Sequence, residues 1–288
     1  LLFLLLLAGA LAIASWPLGS LASAPPLVIT FLDVGQGDCI WVRTPGGPDI
    51  LVDGGPEAAG AGVVAYLQSR GCTDIEYVLL THPHADHVGG LIPVLQSMPT
   101  GHLWYNGEPY TTSTYLRFLD VVGSQAIPTT ILTAGLTYTI GSVELAVLHP
   151  TTLVSKTNDN SIVCLLSYGT VDVMLTGDVE EGAESQILSS GYRLEAEILK
   201  VAHHGSNSSS SAGFLQAVSP EVAVISVGAG NRYGHPSPHV LGRLGALPAQ
   251  VYRTDLHGTV IVTTDGNSYQ IRLPAILRYL YLPFVVRP

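Results

Sequence analysis

From residue 27 onward the chain alternates short β-branched and aliphatic runs with Gly, Pro and Asn breaks. That pattern is the signature of strands bounded by turns. Strands are expected over 27–33, 39–43 and 50–52, joined by turns at 35–37 and 45–48. An amphipathic helix over 57–70 stops at Gly71, and a buried strand follows over 75–80. A helix after Asp86, a strand near 103–105 and a helix around 115–122 complete a first half. The middle, at 143–148, 162–168 and 171–176, is β-rich, with Gly169-Thr170 as a hairpin turn. Helices at 181–190, 211–218 and 238–246 then alternate with strands at 196–202, 222–226 and 250–253. A hairpin, 259–263 with 268–272, closes around Asp265-Gly266-Asn267. Two β-rich then α/β halves predict two sheets packed face to face, with helices outside.

The flanks read differently. Residues 1–24 contain no charged side chain, and the first thirteen are almost unbroken Leu, Phe, Ala, Gly and Ile. They read as the end of a transmembrane segment or as a signal-like segment with Ala22-Ser23-Ala24 as the cleavage word. The first basic residue is Arg43, so the flank after this segment carries no positive-inside signal and points to the extracytoplasmic side. Residues 273–288 form an apolar tail with three prolines. The globular unit is therefore 27–272.

Composition narrows the function. Of 288 residues, 47% are hydrophobic and 12% charged, half the roughly 25% of an ordinary soluble domain. This excludes a disordered chain and supplies a large core. Twelve basic against 22 acidic residues, a formal −10, exclude a basic nucleic-acid wrapping surface. A nucleic acid held locally by metals stays open. Cys39, Cys72 and Cys164 are too few for a disulfide framework and form no CxxC.

The chemistry concentrates at strand ends. The strand at 75–80 runs straight into Thr81-His82-Pro83-His84-Ala85-Asp86-His87, four potential ligands in six residues. His82 and His84 alternate at the strand end and point the same way, while Asp86 and His87 turn into the next helix. Imidazole and carboxylate at such spacing suit divalent cations, and catalytic sites leave positions open for water. His149, Asp178 and the pair His203-His204 repeat the same placement, each just past a buried strand. Asp53, in Leu51-Val52-Asp53-Gly54-Gly55, either orients a ligand or begins a turn.

These words resemble the metallo-β-lactamase superfamily, a four-layer αβ/βα sandwich with a dinuclear metal site. Within it, they are similar to the C-terminal domain of ComEC-type competence DNA-uptake proteins. The matching words are Phe31–Asp38, Leu51–Gly55, His82–His87, Asn158-Asp159-Asn160-Ser161, Leu175–Asp178, His203–Ser206 and Asn231–Pro236. The chain departs from the ComEC pattern at His84, where Asp is frequent, and at Cys39, where Ser is usual.

The resemblance implies that His82, His84 and His149 hold one metal and that Asp86, His87 and His203 or His204 hold the other, with Asp178 bridging. Two divalent ions, Zn²⁺ or Mn²⁺, are the implied cofactors. Asp86, Asp178 and His235 are the expected catalytic residues, His235 as proton donor to a leaving oxygen. Ser206, Asn231, His235 and His257 are expected near substrate. The implied function is a metal-dependent phosphodiester hydrolase that degrades one strand of incoming DNA during transformation. It would lie on the extracytoplasmic side of the cell membrane, beside a channel portion of the same protein. Single-stranded DNA is the implied partner; oligomeric state is open. Two alternatives remain: a stand-alone exported metallohydrolase for a phosphocholine ester or β-lactam, and a non-catalytic DNA-guiding module.

Overall fold

A computed structural model describes residues 25–274. In chain order the elements are β1 (Leu27–Phe31), β2 (Ile40–Arg43), β3 (Asp49–Val52), α1 (Gly60–Ser69), β4 (Ile75–Leu80), α2 (Ala85–Val88), α3 (Leu91–Ser97), β5 (Thr100–Tyr105), α4 (Ser113–Ser124) and β6 (Thr129–Ile131). The second half holds β7 (Thr137–Ile140), β8 (Val143–His149), β9 (Val163–Tyr168), β10 (Val171–Leu175), α5 (Glu181–Ser189), β11 (Ile198–Lys200), α6 (Ala212–Val218), β12 (Val222–Ile225), α7 (Pro238–Gly245) and β13 (Gln250–Arg253). A short α8 (Thr254–His257) leads to β14 (Val260–Thr264) and β15 (Tyr269–Arg272).

Two sheets result. One has eight strands in the order β15-β14-β1-β2-β3-β4-β5-β6, the other seven in the order β13-β12-β11-β10-β9-β8-β7. The final hairpin returns to the first sheet, where β14 pairs antiparallel with β1 from Leu27↔Thr264 to Phe31↔Val260. The period-2 pattern explains the packing. Leu27, Ile29 and Phe31 join Val143, Leu145, Val147, Ile198 and Val222 in one core between the sheets. Trp41, Leu51 and Val78 face the opposite side, under α1, α3 and α4. Met174, Leu199 and Ala223 face α5, α6 and α7 on the far side of the second sheet. The layers are therefore αβ/βα.

Strands β3 to β6 are mutually parallel, as are β10 to β13. Ligand crevices in such sheets lie outside the carboxyl ends of parallel strands. Helix α6 is capped by Ser211, whose side chain accepts the Phe214 amide. Residues 1–24 lie outside the described residues, as does nearly all of the 273–288 tail. Among the described residues no helix is long and apolar enough to cross a membrane.

One polar cluster fastens β10 away from the crevice. Asp172 accepts from Ser167 Oγ and pairs with Arg193 Nη1 at 2.6 Å. Burial pushes its carboxyl up, but Arg193 and Ser167 outweigh that and hold it below the ordinary range. A depressed carboxyl stabilises the fold above the unfolded value, and the contribution is lost as pH falls through the lowered folded value. Asp172→Asn is expected to cost about 1 kcal/mol near neutrality. Thermal melts of the two proteins should converge as pH drops below the ordinary carboxylate range.

Candidate metal centre

Four strand ends meet at one crevice. Past β3, Asp53 takes a left-handed φ of 56° that Asp tolerates, and it is fully buried. Its carboxylate accepts from Thr81 N at 2.8 Å and from Thr81 Oγ1 at 2.7 Å. His87 Nδ1 lies 2.7 Å from the same carboxylate, which leaves Nε2 facing the crevice. Asp53 thus holds His87 in orientation.

Backbone closeness fixes the histidine-rich loop against β3. Gly54 N donates to His87 O at 2.8 Å, and Gly90 N donates to Gly55 O at 2.8 Å. A Cβ on Gly90 would lie 1.9 Å from Gly54 O, so no side chain fits there. The glycines after the motif are what allow its turn.

The second sheet supplies the other side. Asp178 follows β10, its amide donating to Ser161 Oγ at 3.1 Å. Its Oδ2 lies 3.3 Å from His87 Nε2, 3.4 Å from His204 Nε2, 3.8 Å from His203 Nε2 and 4.0 Å from His82 Nε2. His204 Nε2 also lies 3.5 Å from Asp86 Oδ2. His82 Nε2 is 3.0 Å from His84 Nδ1. Four sets of donors lie close enough to share a cation: His82 with His87 and Asp178, Asp86 with His87 and His204, Asp38 with Asp53 and His87, and Asp38 with Asp178 and His204.

His203 and His204 both take left-handed backbone at φ 48° and 53°, a conformation that costs strain in non-glycine residues. The result is a division of labour. His204 is buried and aims Nε2 at both Asp178 and Asp86; His203 is partly exposed on the cleft wall, near Glu180 and His235. The choice between the two that sequence left open falls on His204 as the better-placed donor.

The electrostatics match. Burial pushes Asp178 up, but His204 and His87 beside it hold its carboxyl well below the ordinary range. Burial pushes His87 and His204 down, yet Asp178 raises both well above an ordinary imidazole, helped by Asp53 and Asp38 respectively. His87 Nε2, His204 Nε2 and Asp178 Oδ1 are buried without a hydrogen-bond partner. Buried polar atoms are normally satisfied, so this orphaned group fits divalent cations.

Several expected residues fall elsewhere. His149 is buried with Nε2 bonded at 2.7 Å to Asp159 O, and it belongs to none of the donor groups. A register irregularity between Val147 and His149 at the end of β8 accompanies this placement. His149→Gln is expected to keep the metal count of the parent and to lower stability by about 1 kcal/mol, checked by elemental analysis and a melt. Asn231 braces its loop, bonding Gly228 O and His235 O, and does not line the cleft. Ser206 meets Ser208 Oγ at 2.9 Å, away from the cleft lining. His257 is tied through Nδ1 to the Arg253 backbone and packs against Tyr252, so it does not reach the cleft. His235 does line it, but burial, with His203 and His204, pushes its imidazole down to about 4. It therefore stands neutral near pH 7.

The cleft, about 380 Å³, is also lined by Gln36, Tyr110, Thr112, Asn158 and Tyr233, which the sequence reading did not assign to the site. Asn158 donates to Glu180 Oε1 at 2.9 Å, and its Oδ1 is buried without a partner. The word Asn158–Ser161 was its only signal. Tyr233 stands 55% exposed at the rim with the Arg232 guanidinium 5.2 Å over its ring.

A two-sheet αβ/βα sandwich with paired His/Asp donor sets at its strand ends defines a metallohydrolase-type scaffold. The chain belongs to the metallo-beta-lactamase superfamily, whose family model matches residues 32–229. It is 28% identical to ComE operon protein 3 of Bacillus subtilis over 81% of this chain and 32% of that protein. It is 33% identical to competence protein ComA of Neisseria gonorrhoeae over 81% of this chain and 31% of that protein. The chain thus spans about a third of the length of these relatives. The metallo-beta-lactamase fold protein YhfI of Bacillus subtilis superposes with a TM-score of 0.57 at 12% identity, over 83% of this chain and 100% of that one. It shares the fold.

Proposed function

We propose that this domain is a dinuclear metal-dependent phosphodiester hydrolase that degrades single-stranded DNA as part of a ComEC-like DNA-uptake protein. The observation that carries the metal reading is the convergence on Asp178 Oδ2 of four histidine Nε2 atoms within 4.0 Å, drawn from both sheets. His82, with His84 beside it, provides one position; Asp86, His87 and His204 provide the other, with Asp178 between them. Two divalent ions there would activate water and stabilise charge on the attacking and leaving oxygens of a phosphodiester.

The chain's own residues do the rest. Asp53 and Ser226 O hold the outer nitrogens of His87 and His204, so both rings present Nε2 to the crevice. Neutral His235 and Asn158 stand on the cleft wall, suited to accept hydrogen bonds from an attacking water. At the rim, Tyr233 and Arg232 pair an aromatic face with a cation, which suits an unstacked base and its phosphate. The competence relatives support DNA as the substrate. In this reading residues 1–24 join the domain to the membrane on the extracytoplasmic side, next to a channel portion outside this sequence.

The test is cleavage of end-labelled single-stranded oligonucleotide by the full chain with Mn²⁺ or Zn²⁺, beside duplex DNA, a chromogenic phosphocholine ester and a chromogenic cephalosporin. Single-strand cleavage dependent on metal is the expected result. Turnover of the ester or the lactam alone would replace this substrate by that of a stand-alone hydrolase. Binding of DNA with two ions and no cleavage would indicate a guiding module.

A further inference from the structure

Beneath the metal position lies a buried ion pair that the proposed reaction does not use. Lys200, at the end of β11, is fully buried, and its Nζ lies 2.6 Å from Asp38 Oδ2. Among the described residues it is the one pair of a lysine or arginine with a carboxylate in which both side chains are at most 2% exposed. A buried ammonium and carboxylate are costly to desolvate, and apolar side chains of similar volume are frequently as stable. A role in the site is the natural reason to keep the pair there.

Its connections identify that role. Asp38 belongs to the turn between β1 and β2, in the first sheet; Lys200 belongs to the second. Asp38 N contacts Asp86 O at 3.3 Å, and Gly55 N donates to Asp38 O at 2.7 Å, so the turn is fastened to the loop that carries Asp86 and His87. On the other side, Lys200 O accepts from Thr176 Oγ1 at 2.7 Å, two residues before Asp178, and its Nζ donates to Val201 O at 2.9 Å. Asp38 Oδ1 lies 3.3 Å from His204 Nδ1. The pair therefore spans the gap between the two halves of the donor set, directly behind His204. Asp38 also lies close enough to share a cation with His204 and Asp178, or with Asp53 and His87; Lys200 holds its Oδ2, while Oδ1 is buried without a hydrogen-bond partner.

We propose that Asp38 and Lys200 are a positioning pair: a strut between the sheets that sets the separation of Asp86 and His87 from Asp178 and His204. This inference rests on the dinuclear reading above. Two variants of the full chain test it. Asp38→Asn with Lys200→Met removes both charges at nearly constant shape, and Asp38→Glu lengthens the strut while keeping it charged. Each is compared with the parent for its melting midpoint, for Zn²⁺ stoichiometry and affinity, and for the visible absorption of the Co²⁺ form.

The expected result is a folded double variant whose ions bind at least about tenfold more weakly, with changed Co²⁺ bands. Asp38→Glu should show the same direction of change. A folded double variant with parental affinity and spectrum overturns the proposal. So does failure of both variants to fold with or without metal, because the pair then serves the fold alone. Failure of the parent to bind metal would be a different result, sinking the dinuclear reading itself.

Discussion

Asp178→Ala should abolish the bound ions and reduce metal-dependent cleavage by at least about a thousandfold, roughly 4 kcal/mol of barrier. The carboxylate stands between both donor sets, within 4.0 Å of four histidine nitrogens, and no neighbouring carboxylate reaches all of them. In the proposed centre its removal would delete the anion shared by the buried imidazoles and the two dications. The fold should survive, because the position is held by its amide bond to Ser161 Oγ, which an alanine retains. Elemental analysis and a cleavage time course on the same preparation check both halves. Parental cleavage in the variant would remove Asp178 from the centre.

Asp53→Ala should damage the fold as well as the site. The carboxylate is fully buried and serves Thr81 N, Thr81 Oγ1 and His87 Nδ1 together. Alanine leaves Thr81 N and His87 Nδ1 without a partner and Thr81 Oγ1 with His82 Nδ1 alone, a cost of roughly 3–5 kcal/mol, and also occupies a left-handed backbone position that Asp tolerates better. Asp53→Asn is the gentler probe. It keeps the shape but disturbs the proton on His87 Nδ1, so the protein should stay folded with metal affinity down about 10- to 100-fold. A melt and a metal titration of both variants separate these outcomes. An Asp53→Ala protein with the parental midpoint would mean that its hydrogen bonds carry little.

The sandwich was legible because its strands obey a strict two-residue period: in β1 Leu27, Ile29 and Phe31 point one way, and Trp41 in β2 points to the other core. The misses have local causes. Strands β6 and β7 are short and threonine-rich at sheet edges, so they carry no apolar run to read. The strand expected over 196–202 shrinks to Ile198–Lys200, because the chain tightens into the turn that carries His203 and His204.

At the site, position past a strand identified His82, His84, Asp86, His87, Asp178 and His204 as neighbours, since the carboxyl ends of parallel strands converge. The same criterion brought in His149, whose strand β8 pairs antiparallel with both neighbours and whose ring turns to Asp159 O. Asp38 and Lys200 escaped notice for another reason. A buried ion pair between residues 162 positions apart has no sequence period, and only the packing of two sheets creates it.

The most direct measurement is a metal titration of the full chain in which ions bound per chain and single-strand cleavage are read from the same samples. The account predicts that two ions bind, that cleavage is absent without metal, and that it rises with filling of the second position. Two ions bound with no cleavage of single-stranded DNA by either Mn²⁺ or Zn²⁺ would contradict it.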